Sequence, residues 1–246
     1  MQNTSFCAAG SGSSAGRPYL SKKEDRMTRP RAFIFDLNGT MIDDMQYHSS
    51  AWFSILNDDL KAGLTREEVN RQMYGKNEEL LDRIFGKGRF TPQEVAGISR
   101  KKELSYQSAF RPYLQLIKGL PALLEKAKAH NVRMAIGSAA IPFNIDFVLD
   151  NLDIRSYFDV IVSAEDVGVS KPDPETFTKA AGILNVPPEA CIVFEDAPKG
   201  VEAAFRAGMS SIVLTTMHEK EDFSRYSNVI CFIKDYTDPR LDELFI

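Results

Sequence analysis

Four places in this chain put a reactive side chain at the end of an apolar run. Asp36 closes "AFIF" and is followed by Asn38, Ser138 closes "VRMAIGS", Lys171 follows "FDVIVSAEDVGVS", and Glu195 with Asp196 closes "CIVFED". Each has a plain alternative: a helix-capping serine, a solvated lysine, an N-capping aspartate. Together they make a set with a purpose. Asp36, Glu195 and Asp196 offer the hard oxygens that suit Mg²⁺, an ion that keeps waters and takes phosphate oxygens. A hydroxyl and an ammonium group complement the remaining phosphate oxygens. An aspartate in such a place can attack phosphorus and split the transfer into two steps. The chemistry implied is Mg²⁺-assisted phosphoryl transfer.

For that set to converge, the apolar runs must be neighbouring strands. Strands are predicted at 31–36, 132–138, 158–163, 191–195, 211–215 and 229–233, with helices at 120–130, 143–152, 174–184 and 200–207. Nearly all-apolar strands alternating with helices predict an α/β fold, a Rossmann-like parallel sheet core flanked by helices. One interval, 44–112, breaks the alternation with helical patterns alone ("SSAWFSILNDDL", "TREEVNRQM", "NEELLDRIF"). It enters directly after the first strand, above the sheet edge where such folds bind ligands, so it is predicted to be an inserted α-helical cap domain over a core of 29–43 and 113–246. Residues 1–28, with "AAGSGSSAGRP" and "SKKEDR", lack an apolar pattern and are predicted to be a disordered tail. Met27 stands just before the first strand as an alternative start to Met1.

Composition narrows the classes. The net charge is −4 with no basic block, so nucleic acid is not expected as a partner. No apolar run approaches a membrane span of about 20 residues. Cys7, Cys191 and Cys231 have neither disulfide nor metal-ligand spacing, which predicts reduced thiols in a cytoplasmic protein; a monomer is expected.

The ordered set "FDLNGT", "GSAA", "SKPDPETF" and "FEDAPKGVEAAFRAGM" resembles the motifs of the haloacid dehalogenase superfamily. The helical insertion resembles its small-cap subfamily, and "DMQYHSSAW" resembles the β-phosphoglucomutase and sugar-phosphate phosphatase branch. The resemblance implies Asp36 as nucleophile and Mg²⁺ held by Asp36, the main-chain carbonyl of Asn38 and Asp196, helped by Glu195. It implies Ser138 and Lys171 on the phosphate, with Thr40 and Ala139 beside them, and His48 at the cap hinge, either relaying protons or packing near Trp52.

Two departures from the family pattern stand out. Position 38 carries an amide where the family has a second aspartate for acid–base work, and Asn38 cannot exchange protons at neutral pH. Sequence alone therefore predicts that Asn38→Asp should restore the missing acid. In the cap stretch "MYGKNEE", Tyr74 and Glu78 stand where the mutase pattern has cations, leaving Lys76 and Lys101 as candidate anchors for a distal group. This predicts a phosphohydrolase of a small phosphorylated metabolite, against a β-phosphoglucomutase-type isomerase or a silenced phosphate-binding protein.

Overall fold

The computed structural model describes residues 30–246. The predicted tail at 1–28, with Cys7 and Met27, lies outside the described residues. Six strands form one sheet in the order β3-β2-β1-β4-β5-β6: β1 Ala32–Phe35, β2 Arg133–Gly137, β3 Val160–Val162, β4 Cys191–Glu195, β5 Ser210–Leu214 and β6 Val229–Ile233. Every neighbouring pair is parallel. All six fall where the apolar runs predict them.

Both faces of the sheet are covered, and β1 shows why its residues alternate in size. Phe33 and Phe35 pack into one cluster with Met134, Ile136, Phe194 and Ile212. Ala32 and Ile34 pack on the opposite face with Ala135, Val193 and Phe177. Phe35 stacks on Phe194 of the adjacent strand with centroids 4.7 Å apart, so the aromatic pair fixes the register of β1 against β4.

The layers over the sheet are α5 Leu120–Ala129, α6 Pro142–Asn151, α7 Glu175–Leu184 and α8 Pro198–Arg206. Pro142 and Pro198 open α6 and α8, where the missing N–H costs nothing and φ is already helical. Between β1 and α5 the chain forms α1 Met45–Ser54, α2 Arg66–Asn70, α3 Asn77–Phe85 and α4 Pro92–Phe110. Thr65 with Glu68 and Thr91 with Glu94 close capping boxes on α2 and α4. These helices hold a cluster of their own around Trp52, Leu56, Val69, Leu80 and Leu81. The end of α4 is rooted in the main core through Tyr106 and Phe110. Among the described residues no helix is long and apolar enough to cross a membrane.

Strand order reverses at β1, with β2 and β3 on one side and β4 onward on the other. The carboxyl ends of β1 and β4 flank the crevice that this reversal opens.

Candidate active site

Asp36 leaves β1 and Glu195 ends β4, so the two carboxylates face each other across that crevice. Lys171 stands between them: its Nζ donates to Asp36 Oδ1 at 2.6 Å and to Glu195 Oε1 at 2.8 Å. Glu195 Oε2 accepts from the backbone N–H groups of Asp196 (2.9 Å) and Ala197 (2.8 Å). Both oxygens of Glu195 are thus engaged, and the residue is a holder of Lys171 and of the turn after β4 rather than an open metal ligand. Its fit is tight enough to dictate the neighbouring helix. A Cβ at Gly200 would lie 1.7 Å from Glu195 Oε1, so only glycine allows α8 to approach.

Asp196 turns the other way. Its Oδ1 accepts from Thr40 at 3.2 Å. A Cβ at Gly39, whose φ is +72°, would meet Oδ2 at 2.1 Å, so the glycine satisfies the turn and leaves that oxygen uncovered. Two residues that sequence reasoning missed pin the same loop: Thr216 Oγ1 donates to the Gly39 carbonyl at 2.7 Å, and Tyr236 Oη to that of Thr40 at 3.0 Å. Neither belongs to a reactive-looking motif.

Charge is unbalanced here. Burial, then the neighbouring Glu195, raises the Asp36 carboxyl above its ordinary value against the pull of Lys171. Burial and the charges of Glu195 and Asp36 hold Asp196 well above its ordinary value. Lys171 is held above its ordinary value, burial notwithstanding, by Asp36 and Glu195. Three buried acids share one buried lysine, an arrangement that favours a further cation.

Ser138 is buried just beyond β2, on the edge where Asp36 leaves β1, and its Oγ accepts from the Ala140 N–H at 3.1 Å. Ala139 lies between them on the same loop, half-buried.

Behind the crevice is a buried polar network that sequence reasoning did not find. Asn38 Nδ2 donates to Asp44 Oδ2 at 2.6 Å and lies 3.0 Å from His48 Nε2. Asp44 also accepts from Tyr106 Oη at 2.5 Å and from the Gly39 N–H at 3.3 Å. Lys102 Nζ lies 2.7 Å from His48 Nδ1 and 3.0 Å from Glu103 Oε2. Glu103 accepts in turn from Asn77 at 2.8 Å and from Asn144 at 2.6 Å, joining α3 and α4 to α6. Burial pulls Lys102 below its ordinary value against Glu103. Burial opposes the Glu103 charge, yet Lys102, His48 and the two amides hold Glu103 below its ordinary value. The His48 ring stacks on Tyr106 with centroids 3.7 Å apart, so its packing partner is Tyr106 and not the Trp52 predicted.

The two candidate cap anchors part ways. Lys76, at the start of α3, reaches Val167 in the loop leading to Lys171 and donates to its carbonyl at 2.6 Å. Lys101 is 65% exposed and pairs with Asp59 on the outer surface, so the structure does not bring it to the site. Tyr74 is exposed and lies under the Arg83 guanidinium at 3.8 Å; Glu78 is exposed as well.

The family model of haloacid dehalogenase-like hydrolases matches residues 30–208. A β-phosphoglucomutase of Bacillus subtilis is 33% identical over 74% of this chain and 82% of that protein. The fructose-1-phosphate phosphatase YqaB of Escherichia coli is 31% identical over 75% of this chain and 96% of its own length. Among solved structures, a β-phosphoglucomutase of Clostridium difficile superposes with a TM-score of 0.76 at 27% identity, covering 88% of this chain and 97% of that one.

Proposed function

This chain belongs to the haloacid dehalogenase-like hydrolase family, and from that premise we propose that it is a Mg²⁺-dependent phosphohydrolase of a small, sugar-like phosphate with Asp36 as its nucleophile. The observation that carries the reading is the single ammonium of Lys171 bridging Asp36 and Glu195 where strand order reverses. The relatives named as a sugar-phosphate phosphatase and a sugar phosphomutase support the substrate class.

Among the described residues no three His, Cys, Asp or Glu side chains gather to hold a metal ion. Mg²⁺ does not need three, since it binds through one or two carboxylates and keeps its waters. Asp36 and Asp196 fit that demand: each accepts its side-chain hydrogen bond through Oδ1, leaving Oδ2 for a cation. In this reading Asp36, Asp196 and the main-chain carbonyl of Asn38 hold the ion. When bound, it offsets the charge of the acids and of the transferring phosphoryl group.

The chain's own groups do the rest. A carboxylate oxygen of Asp36 attacks phosphorus, the ester oxygen leaves with the bonding pair, and an aspartyl phosphate forms. Water then attacks phosphorus, returning the carboxylate and releasing phosphate. Lys171 orients Asp36 before attack and takes phosphate oxygens after it, with Ser138 and the N–H groups of its loop beside them. The helical insertion at 44–112 closes over this edge as a cap, held in part by Lys76 on the Val167 carbonyl. With Lys76 so engaged and Lys101 on the outer surface, neither candidate anchor is free for a second phosphate, which with Tyr74 and Glu78 in place of cations disfavours the isomerase reading.

A panel of sugar phosphates, nucleotides, acyl phosphates and pyrophosphate tests the proposal; no turnover of any member with Mg²⁺ present would overturn it. Chelation should abolish turnover, and restoring Mg²⁺ should raise Tm, because the cation relieves repulsion among buried carboxylates. An unchanged Tm would count against Asp36 and Asp196 as its ligands.

His48 is the candidate left for protonating the leaving group. The Lys102 ammonium donates to Nδ1, which leaves the ring proton on Nε2, 3.3 Å from Asp44 Oδ2. His48→Ala should lower kcat about 10²-fold for sugar phosphates and clearly less for acyl phosphates, whose leaving group departs without a proton. Equal losses on both would make His48 a positioning residue only.

A further inference from the structure

The Asn38 amide has a fixed orientation. Asp44 Oδ2 stands 2.6 Å from its Nδ2, and a carbonyl oxygen in that place would set two acceptors against each other. The amide therefore turns its N–H₂ inward and its Oδ1 outward. Asp44 is fully buried, stands immediately before the first helix of the insertion, and also holds Tyr106 of α4 and the N–H of Gly39. One carboxylate thus ties both ends of the helical insertion to the loop that carries the nucleophile.

We propose that Asn38 and Asp44 are an exchanged pair, in which Asp44 is a positioning residue whose carboxylate makes an amide obligatory at position 38. The proposal rests on the phosphohydrolase reading for its catalytic consequence and on contact geometry alone for the pairing. An aspartate at 38 would set two carboxylate oxygens about 2.6 Å apart in a part-buried place with no donor between them. The acid that sequence reasoning finds missing at 38 cannot be returned by changing position 38 alone. It is returned by exchanging the two residues. An amide at 44 donates to the carboxylate at 38 and to the Tyr106 hydroxyl oxygen, and its carbonyl accepts the Gly39 N–H.

The test is a double-mutant cycle on the full chain, with Asn38→Asp, Asp44→Asn and the double exchange, read by Tm and by turnover of a sugar phosphate and of acetyl phosphate. Asn38→Asp should melt at least about 5 °C lower and gain no turnover. The double exchange should melt within about 2 °C of the parent. It should raise sugar-phosphate kcat by up to about 10²-fold and acetyl-phosphate kcat much less, a split that a purely structural role does not produce. Additive Tm changes, or a gain from Asn38→Asp alone, would overturn the pairing. If Asn38→Asp does not fold, a folded double exchange supports the proposal and an unfolded one overturns it. A parent without turnover on any substrate would defeat the phosphohydrolase reading, while the melting cycle would still decide the pairing.

Discussion

Asp36→Asn is expected to cut Mg²⁺-dependent turnover by at least about 10⁴-fold, with Tm held within a few degrees of the parent. The loss is large because, in the proposed mechanism, an amide cannot form the aspartyl phosphate on which both half-reactions depend, and neither neighbouring carboxylate is placed to replace it. Glu195 is bound on both oxygens to Lys171 and the backbone, and Asp196 lies across the loop against Thr40 and Gly39. Stability should hold because the substitution relieves crowding of buried acids, and Lys171 keeps Glu195 as its partner. Initial rates over a wide enzyme range, with circular dichroism melts alongside, would check this. Turnover within tenfold of the parent would remove Asp36 as nucleophile.

Lys171→Ala should damage both properties at once. It removes the one buried cation shared by Asp36 and Glu195, leaving two buried carboxylates without a countercharge between them at a cost of about 3–5 kcal/mol. For a chain of this size that corresponds to a Tm lower by roughly 6–20 °C. Turnover should fall about 10³-fold, since a preorganised donor to the transferring phosphoryl group is lost as well. Added Mg²⁺ should recover part of the melting temperature and little of the rate. Recovery of the rate in parallel with stability would mean that Lys171 only balances charge.

The sheet and the ends of its strands were legible because both signals are local. An apolar run that stops at a carboxylate marks a buried strand and its exposed end in the same few letters, as "AFIFD" and "CIVFED" do. The insertion was legible as a long interval without strand alternation. What stayed hidden was pairing across distance. Lys102 meets His48 across 54 positions, and its setting, "SRKKELSY", reads as a solvated helix face. Lys101, the residue singled out from the sequence, and Lys102, which was not, stand about 100° apart around α4. Asp44 was overlooked for a similar reason: beside Asp43 it reads as an ordinary helix-opening acid. Glu195 was legible as a site residue, but the Lys171 and backbone partners that engage it are properties of the folded chain.

The hydrogen bond from Lys76 to the Val167 carbonyl makes the two sides of the site's mouth unequal under genetic drift. The acceptor is a main-chain atom, so the side chain of Val167 takes no part in the bond and is held instead by its burial in the core. The donor is a single long side chain that no other residue reproduces from the same place. A charged donor of this kind contributes about 1.5–3 kcal/mol. Losing it would let the mouth stand open roughly 10- to 100-fold more often, by the ordinary relation between free energy and population. Residue 167 is therefore constrained by its packing among Val162 and Phe177 and not by this bond, whereas, if the insertion acts as the proposed cap, drift at 76 would change how long a bound molecule dwells before it escapes.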